Sequence, residues 1–304
     1  MLEPCGVRND RPSRTALKTA YYRALHHLDD GPKLLDDPYA HRLLTTVEVA
    51  AMRERVLADG RDFGVAADDP ETLLRRTVRT MTPAAFVLAR ARYTEDRLAA
   101  AVEQGVDQYV LVGAGLDTFA FRRTDLGDCV RVFELDHPGS QSDKRARLAA
   151  AGVADPPNLH FGTVDFERES VADALGRLPF DAGRPAVFAW LGVTMYLTRQ
   201  AIERTWQALR AVAAPGSELV FDFVDPASLA SASPIAQRLR ERTRAIGEAM
   251  ITGLDPGALG ADLAASGWTL VEQLDRDEIH RRYFAARTDG YVLRTGRLAC
   301  ARAD

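Results

Sequence analysis

A doubly wound, largely parallel α/β sheet preceded by a run of helices is the fold class this sequence predicts. Three observations predict it. The first third of the chain shows helical spacing and no strand pattern. From Gly105 onward, short apolar runs alternate with helical stretches. The first two of those runs end in glycines and in acids, the residues an open sheet presents where it binds ligands.

Each element follows from a local signal. Ser13 to Leu28 carries Leu17, Tyr21, Leu25 and Leu28 at helical spacing. Pro38, in DDPYAHRLL, is placed to open the next helix. Thr82 and Pro83 read as a cap followed by proline at the first helical position, and the helix they start runs to Gly105. Strands are expected in QYVLVGAG, VRVFELD, LHFGTVDF, AVFAWLG and ELVFDFV, separated by helices such as SQSDKRARLAAAG and TRQAIERTWQALRAVAAPG. The latter has Thr198 as cap, Ile202, Trp206 and Leu209 on one face, and Pro215-Gly216 as its stop. The connections should be right-handed crossovers. After Asp225 a mostly helical segment has starts at Ser233-Pro234 and Asp255-Pro256. WTLVEQL and RLACARAD are the last strand candidates. The expected organisation is a helical cap over residues 1–107 and a sheet core over 108–304, with a helical lid inserted at about 226–257.

Composition narrows the function classes. With 304 residues, 46% of them hydrophobic, the chain can bury a sizeable core. Its 39 basic and 43 acidic residues leave a formal charge of −4, with no basic excess for nucleic acid. Cys5, Cys129 and Cys300 are scattered and form no CxxC, which argues against a disulfide framework and a structural zinc. His26-His27 lacks a second ligand cluster, so no metal is expected. The opening MLEPCGVRNDRPSR has no signal-peptide core, and no apolar run is long enough to span a bilayer. The expectation is a cytoplasmic protein, monomer or homodimer, with no membrane partner.

The chemistry gathers at strand ends. VLVGAGLDT ends the first strand, and Gly113, Ala114 and Gly115 allow a ligand close to the backbone. Asp136 ends the second strand and suits the two hydroxyls of a ribose. Asp165 and Phe166 end the third, where an acid and a ring could hold an adenine. Glu134 is expected to turn away from Asp136, with a salt bridge to a basic helix residue or a ligand contact as its two readings. A dinucleotide loop wants a third glycine where Thr118 stands, and Asp117 would repel a pyrophosphate. Acids suit S-adenosyl-L-methionine (SAM) better, because it carries a sulfonium and an ammonium. Its carboxylate then needs an arginine, for which Arg90 and Arg92 are candidates.

VLVGAGLDTFAFR, RVFELDHPGSQSDKRARL, TVDF and WLGVTMYL, in this order and spacing, resemble the leucine carboxyl methyltransferase family. The resemblance runs from SRTALKTAYYRALHHL and LLDDPYAHRLL to about Asp225. It implies a class I SAM-methyltransferase fold, Rossmann-like, with seven strands, a reversed last strand and added N-terminal helices. It implies a cofactor carboxylate near Arg90 and Arg23, the methionine part against Gly113 to Gly115, the ribose on Asp136, and the adenine by Asp165 and Phe166. Two positions depart from the family pattern: Phe119 stands where the family usually has Arg, and Leu191 where it usually has Glu, near the cofactor's amino-acid end. Tyr196 and Phe223, at or after sheet carboxyl ends, are the substrate-binding candidates. The activity implied is O-methylation of a carboxylate or acidic hydroxyl on a small molecule, possible in secondary metabolism. An NAD(P)-dependent oxidoreductase and a non-catalytic SAM-binding protein are the rival classes.

Overall fold

The computed structural model describes residues 13–29, 31–166, 168–245 and 247–304, so Cys5 lies outside the described residues. Four helices come first: α1 (Arg14–Leu28), α2 (Thr46–Asp62), α3 (Pro70–Met81) and α4 (Ala84–Glu103). Strand and helix then alternate through β1 (Gln108–Val112), α5 (Phe119–Arg122), β2 (Arg131–Asp136), α6 (Pro138–Ala150), β3 (Leu159–Thr163), α7 (Val171–Leu175), β4 (Val187–Trp190), α8 (Arg199–Val212) and β5 (Glu218–Phe223). An excursion of α9 (Pro226–Leu229), α10 (Pro234–Ala245) and α11 (Leu259–Ala265) leads to β6 (Trp268–Leu274), α12 (Arg276–Tyr283) and β7 (Arg297–Ala303).

The seven strands form one sheet in the order β3-β2-β1-β4-β5-β7-β6. β1 pairs in parallel with β2 and β4, whereas β7 runs antiparallel between β5 and β6. The strands' period of two sends alternate side chains to opposite layers. Tyr109, Leu111, Val132, Ala189 and Val220 join the N-terminal helices in one core cluster. Val110, Phe133, Phe188, Trp190, Phe221 and Phe223 join α7, α8 and α11 in the other.

Helix starts follow their caps. The Ser13 hydroxyl accepts from the Ala16 amide and that of Thr198 from the Ala201 amide. Three expected starts differ. Thr82 closes α3 and Pro83 is itself the N-cap of α4, which begins one residue later at Ala84. After Pro38 the chain makes only a 3-10 turn (Ala40–Leu43), because Asp37 Oδ1 takes the Tyr39 and Ala40 amides into a tight turn. Asp255 accepts from the Gly257 amide in the same way, and α11 begins only at Leu259. No helix among the described residues is long and apolar enough to cross a membrane. Cys129 and Cys300 are free thiols.

Candidate active site

The turn after β1 is built around glycine. Gly113 and Gly115 have φ of 72° and 52°, the left-handed region, and a Cβ on Gly113 would come within 3.0 Å of Val193. Gly113 and Ala114 both donate their amides to the Leu135 carbonyl, which folds the turn back over the end of β2. There Asp136 Oδ2 accepts from the Gly115 amide at 2.5 Å and Oδ1 from the His137 amide at 2.6 Å. Burial pushes the Asp136 carboxyl above its ordinary pKa, and those two amides offset part of the effect. Asp117 accepts from the Phe119 amide at 2.7 Å, tightening the turn into α5. Phe119 is buried against Tyr109, with ring centroids 4.7 Å apart.

Glu134 corrects an expectation. Residues two apart on a strand share a face, so Glu134 lies on the same side as Asp136. It is fully buried and ion-paired with Lys144 of α6. Burial lifts its carboxyl to about 7 against the pull of that ammonium.

A second group of residues converges from α4, β4 and β5. Arg90 Nη1 donates to Asp222 Oδ2 at 3.0 Å, and the other Asp222 oxygen accepts from the Gly192 amide. Asp222 has no exposed surface, so its charge is committed to this bracket. Gly192 has φ of 73°, and a Cβ there would lie 2.7 Å from the Arg90 guanidinium. Arg23 is fixed from the opposite side by Asp37 at 2.8 Å and by the Leu116 carbonyl at 2.6 Å. Burial would raise the Asp37 carboxyl, but Arg23 and Arg122 outweigh it and hold the pKa below the usual value.

These groups enclose a cavity of about 320 Å³ at the carboxyl ends of β1, β2 and β4. Arg23, Arg90, Asp117, Asp136 and the turn Gly113, Ala114 and Gly115 lie on its wall. Phe166, Leu191 and Tyr196 complete the expected residues found there. Burial raises the Tyr196 phenol, so it is protonated at neutral pH. Asp165 follows β3 outside that wall, 3.5 Å from Arg168. Phe223, expected at the substrate, is instead fully buried against Phe221 on the opposite face of β5. Arg92 is exposed and paired with Asp96. Sequence reading missed Gly192 as a structural need, and Glu248 altogether. Glu248, from the segment after α10, lines the cavity and accepts from Ser13 Oγ at 2.9 Å, the Arg14 amide at 3.0 Å, the Thr15 amide at 3.2 Å and the Thr15 hydroxyl.

A larger cavity of about 590 Å³ flanks another face of α1. Lys18, Tyr21 and Tyr22 line it from α1, Phe63 from the end of α2, and Ile235 and Leu239 from α10. Asp59 of α2 ties down α10 through Arg238 at 3.2 Å and through Arg242. Met250 faces this cavity while its neighbours Ala249 and Ile251 face the smaller one.

The profile of the Leucine carboxyl methyltransferase family matches residues 16–210. A Bacillus subtilis protein whose name describes it provisionally as an S-adenosyl-L-methionine-dependent methyltransferase is 32% identical over 294 residues, covering 93% of this chain and 95% of its own. A Mycolicibacterium paratuberculosis protein with the same provisional description is 31% identical over 246 residues, covering 79% and 76%. Among solved structures, a provisionally named methyltransferase from Thermobifida fusca superposes with a TM-score of 0.56 at 18% identity, covering 100% of this chain and 99% of its own. A DUF574 family protein from Streptomyces avermitilis gives 0.59 at 13%, covering 98% and 100%, so both support the fold alone. The chain belongs to the leucine carboxyl methyltransferase family, and it is a SAM-dependent methyltransferase.

Proposed function

We propose that this methyltransferase acts on an acidic oxygen, a carboxylate or an acidified hydroxyl, of a small molecule. The wall of the smaller cavity fits the cofactor. Glycine turns leave room beside the backbone, Arg90 and Arg23 offer a carboxylate two fixed cations, and Asp136 keeps lone pairs for a ribose. Phe166, 39% exposed at the rim, offers its ring to an adenine, with Asp165 nearby in sequence to take the exocyclic amine. Leu191 leaves the ammonium end to backbone carbonyls and to acids of the turn. Bound there, the cofactor would supply an electrophilic methyl on a sulfonium for an acceptor oxygen, with the neutral thioether as leaving group.

The observation that carries the choice of acceptor is that no histidine lines either cavity among the described residues. His137 is spent on α6, its Nδ1 accepting from the Gly139 amide at 3.2 Å. Asp222 is buried under Arg90, and Tyr196 keeps its proton. A carboxylate, with a pKa of about 4, needs no base, whereas an ordinary phenol, near 10, does. The chain's work is therefore alignment and exclusion of water. We place the helical segment 226–257 and α1 over the acceptor as its lid, and the reaction in the cytoplasm, in secondary metabolism. Labelled methyl transfer from SAM into a panel of carboxylic acids, phenols and alcohols is the test. The acids should be methylated at rates flat from about pH 6 to 9 and little changed in His137→Ala. A rate that falls steeply below neutral pH, and a fall that disappears in His137→Ala, would assign a histidine base and an ordinary hydroxyl acceptor.

A further inference from the structure

The larger cavity is strongly cationic. Seven basic side chains line it against one acid, Asp59, in a chain whose overall charge is −4. Most of these cations are engaged. Arg238 and Arg242 hold Asp59, Arg240 donates to the Leu229 and Ser231 carbonyls, Arg276 pairs with Asp277, and Arg294 donates to the Thr80 carbonyl. Two are not. Lys18 of α1 and Arg55 of α2 make no hydrogen bond or ion pair among the described residues. Lys18 is half-buried, and it is one of only three lysines in the chain. A desolvated ammonium without a counter-ion is costly, and a ligand's negative charge removes that cost. Burial, then Arg242 and Arg55, hold the Lys18 pKa below its usual value, against the weaker pull of Glu248 and Asp59. Both of those acids already have partners, at the N-terminus of α1 and on α10.

The same wall also carries large apolar side chains: Tyr21, Met52, Phe63, Phe86 and Met250. The volume, about 590 Å³, is that of a small-molecule site. α1 turns Lys18 and Tyr22 to this cavity and Ala16, Thr19 and Arg23 to the smaller one. We propose that Lys18 and Arg55 bind an anionic group of the acceptor, distinct from the oxygen that is methylated, while the apolar wall holds the body of the molecule. The acceptor is then an amphiphile with a charged group remote from the reacting oxygen. This rests on the methyltransferase reading only in calling the ligand the acceptor.

The test is calorimetric titration of decanoate, with decanol as its neutral counterpart, into the full chain saturated with S-adenosylhomocysteine. Decanoate should bind at least tenfold tighter than decanol, and raised salt should weaken it. Lys18→Met and Arg55→Met should each lower decanoate affinity about tenfold while leaving decanol and S-adenosylhomocysteine binding unchanged, the latter also reporting that the variants fold. Failure of the parent to bind decanoate, equal binding of decanol, or variants that bind decanoate like the parent would each overturn the proposal. Displacement of S-adenosylhomocysteine by decanoate would overturn it too, by placing the anion in the smaller cavity. Charge-dependent decanoate binding in a protein that takes neither SAM nor its product would instead reject the cofactor reading and leave the anion site standing.

Discussion

Single residues set the smaller cavity, and Gly192 is the sharpest case. Its backbone is left-handed, and the Arg90 guanidinium fills the space where a side chain would start. Gly192→Ala should therefore cost about 1–2 kcal/mol of backbone strain and also push Arg90 off Asp222, weakening S-adenosylhomocysteine by tenfold or more. Gly64→Ala is the control, because its φ of 66° carries the same strain with no atom within 4 Å. Calorimetry on the two variants should separate them, and equal affinities would remove Arg90 from the site. This bracket was hard to read in the sequence because Arg90 and Asp222 are 132 positions apart. The place of Asp136 on the cavity wall was legible because it ends a strand beside a glycine turn. Phe223 was misplaced for a related reason. β5 is buried on both faces, so its residues lack the polar alternation that would show Asp222 turned to Arg90 and Phe223 turned to the opposite core layer.

At the scale of elements, β1 to β5 were legible because each is a short strand-like run between helical stretches, and β6 and β7 only as the last strand-like segments of the chain. The segment after α10 was not, since Gly247 to Ile251 forms no regular element whose period could orient Glu248. That carboxylate takes the place of a ligand at the start of α1, accepting two of its otherwise unpaired amides and two hydroxyls. It joins the segment after α10 to the helix that lines both cavities. Glu248→Ala should free both, at a local cost of about 1–3 kcal/mol. Hydrogen exchange is the readout: amides of Arg14 and Thr15 and of the α10 segment should exchange at least tenfold faster than in the parent, with β1 and β4 unchanged. Unchanged exchange in α1 would mean that Glu248 is not what pins this segment to the helix.

For the whole molecule, acid sensitivity has an identifiable source in His26. It is buried, its Nε2 accepts from the Leu34 amide at 3.0 Å, and its Nδ1 meets the Tyr291 hydroxyl at 3.2 Å. Burial, helped by Arg287 and Lys33, pushes its pKa down to about 4. The unfolded chain therefore takes up a proton that the folded one refuses. Stability is complete above the ordinary histidine value of about 6.5 and falls as the pH drops toward 4. Glu134, raised to about 7, acts with the opposite sign, losing stability as the pH rises toward 7, so the parent alone mixes the two effects. Comparing the parent with His26→Gln isolates the first. Between pH 7 and pH 5 the parent should lose about 2 kcal/mol more than the variant in denaturant unfolding. Equal losses would show that His26 is protonated in the fold.

The most direct measurement is calorimetry of S-adenosylhomocysteine binding to the parent and to Asp136→Ala, each checked for folding by its thermal transition. The cavity at the ends of β1, β2 and β4 is expected to bind the ligand one to one. Asp136→Ala should lose about 2–4 kcal/mol of that affinity through two charge-assisted hydrogen bonds. A folded Asp136→Ala protein that binds as tightly as the parent would place the adenosine elsewhere and contradict the site described above.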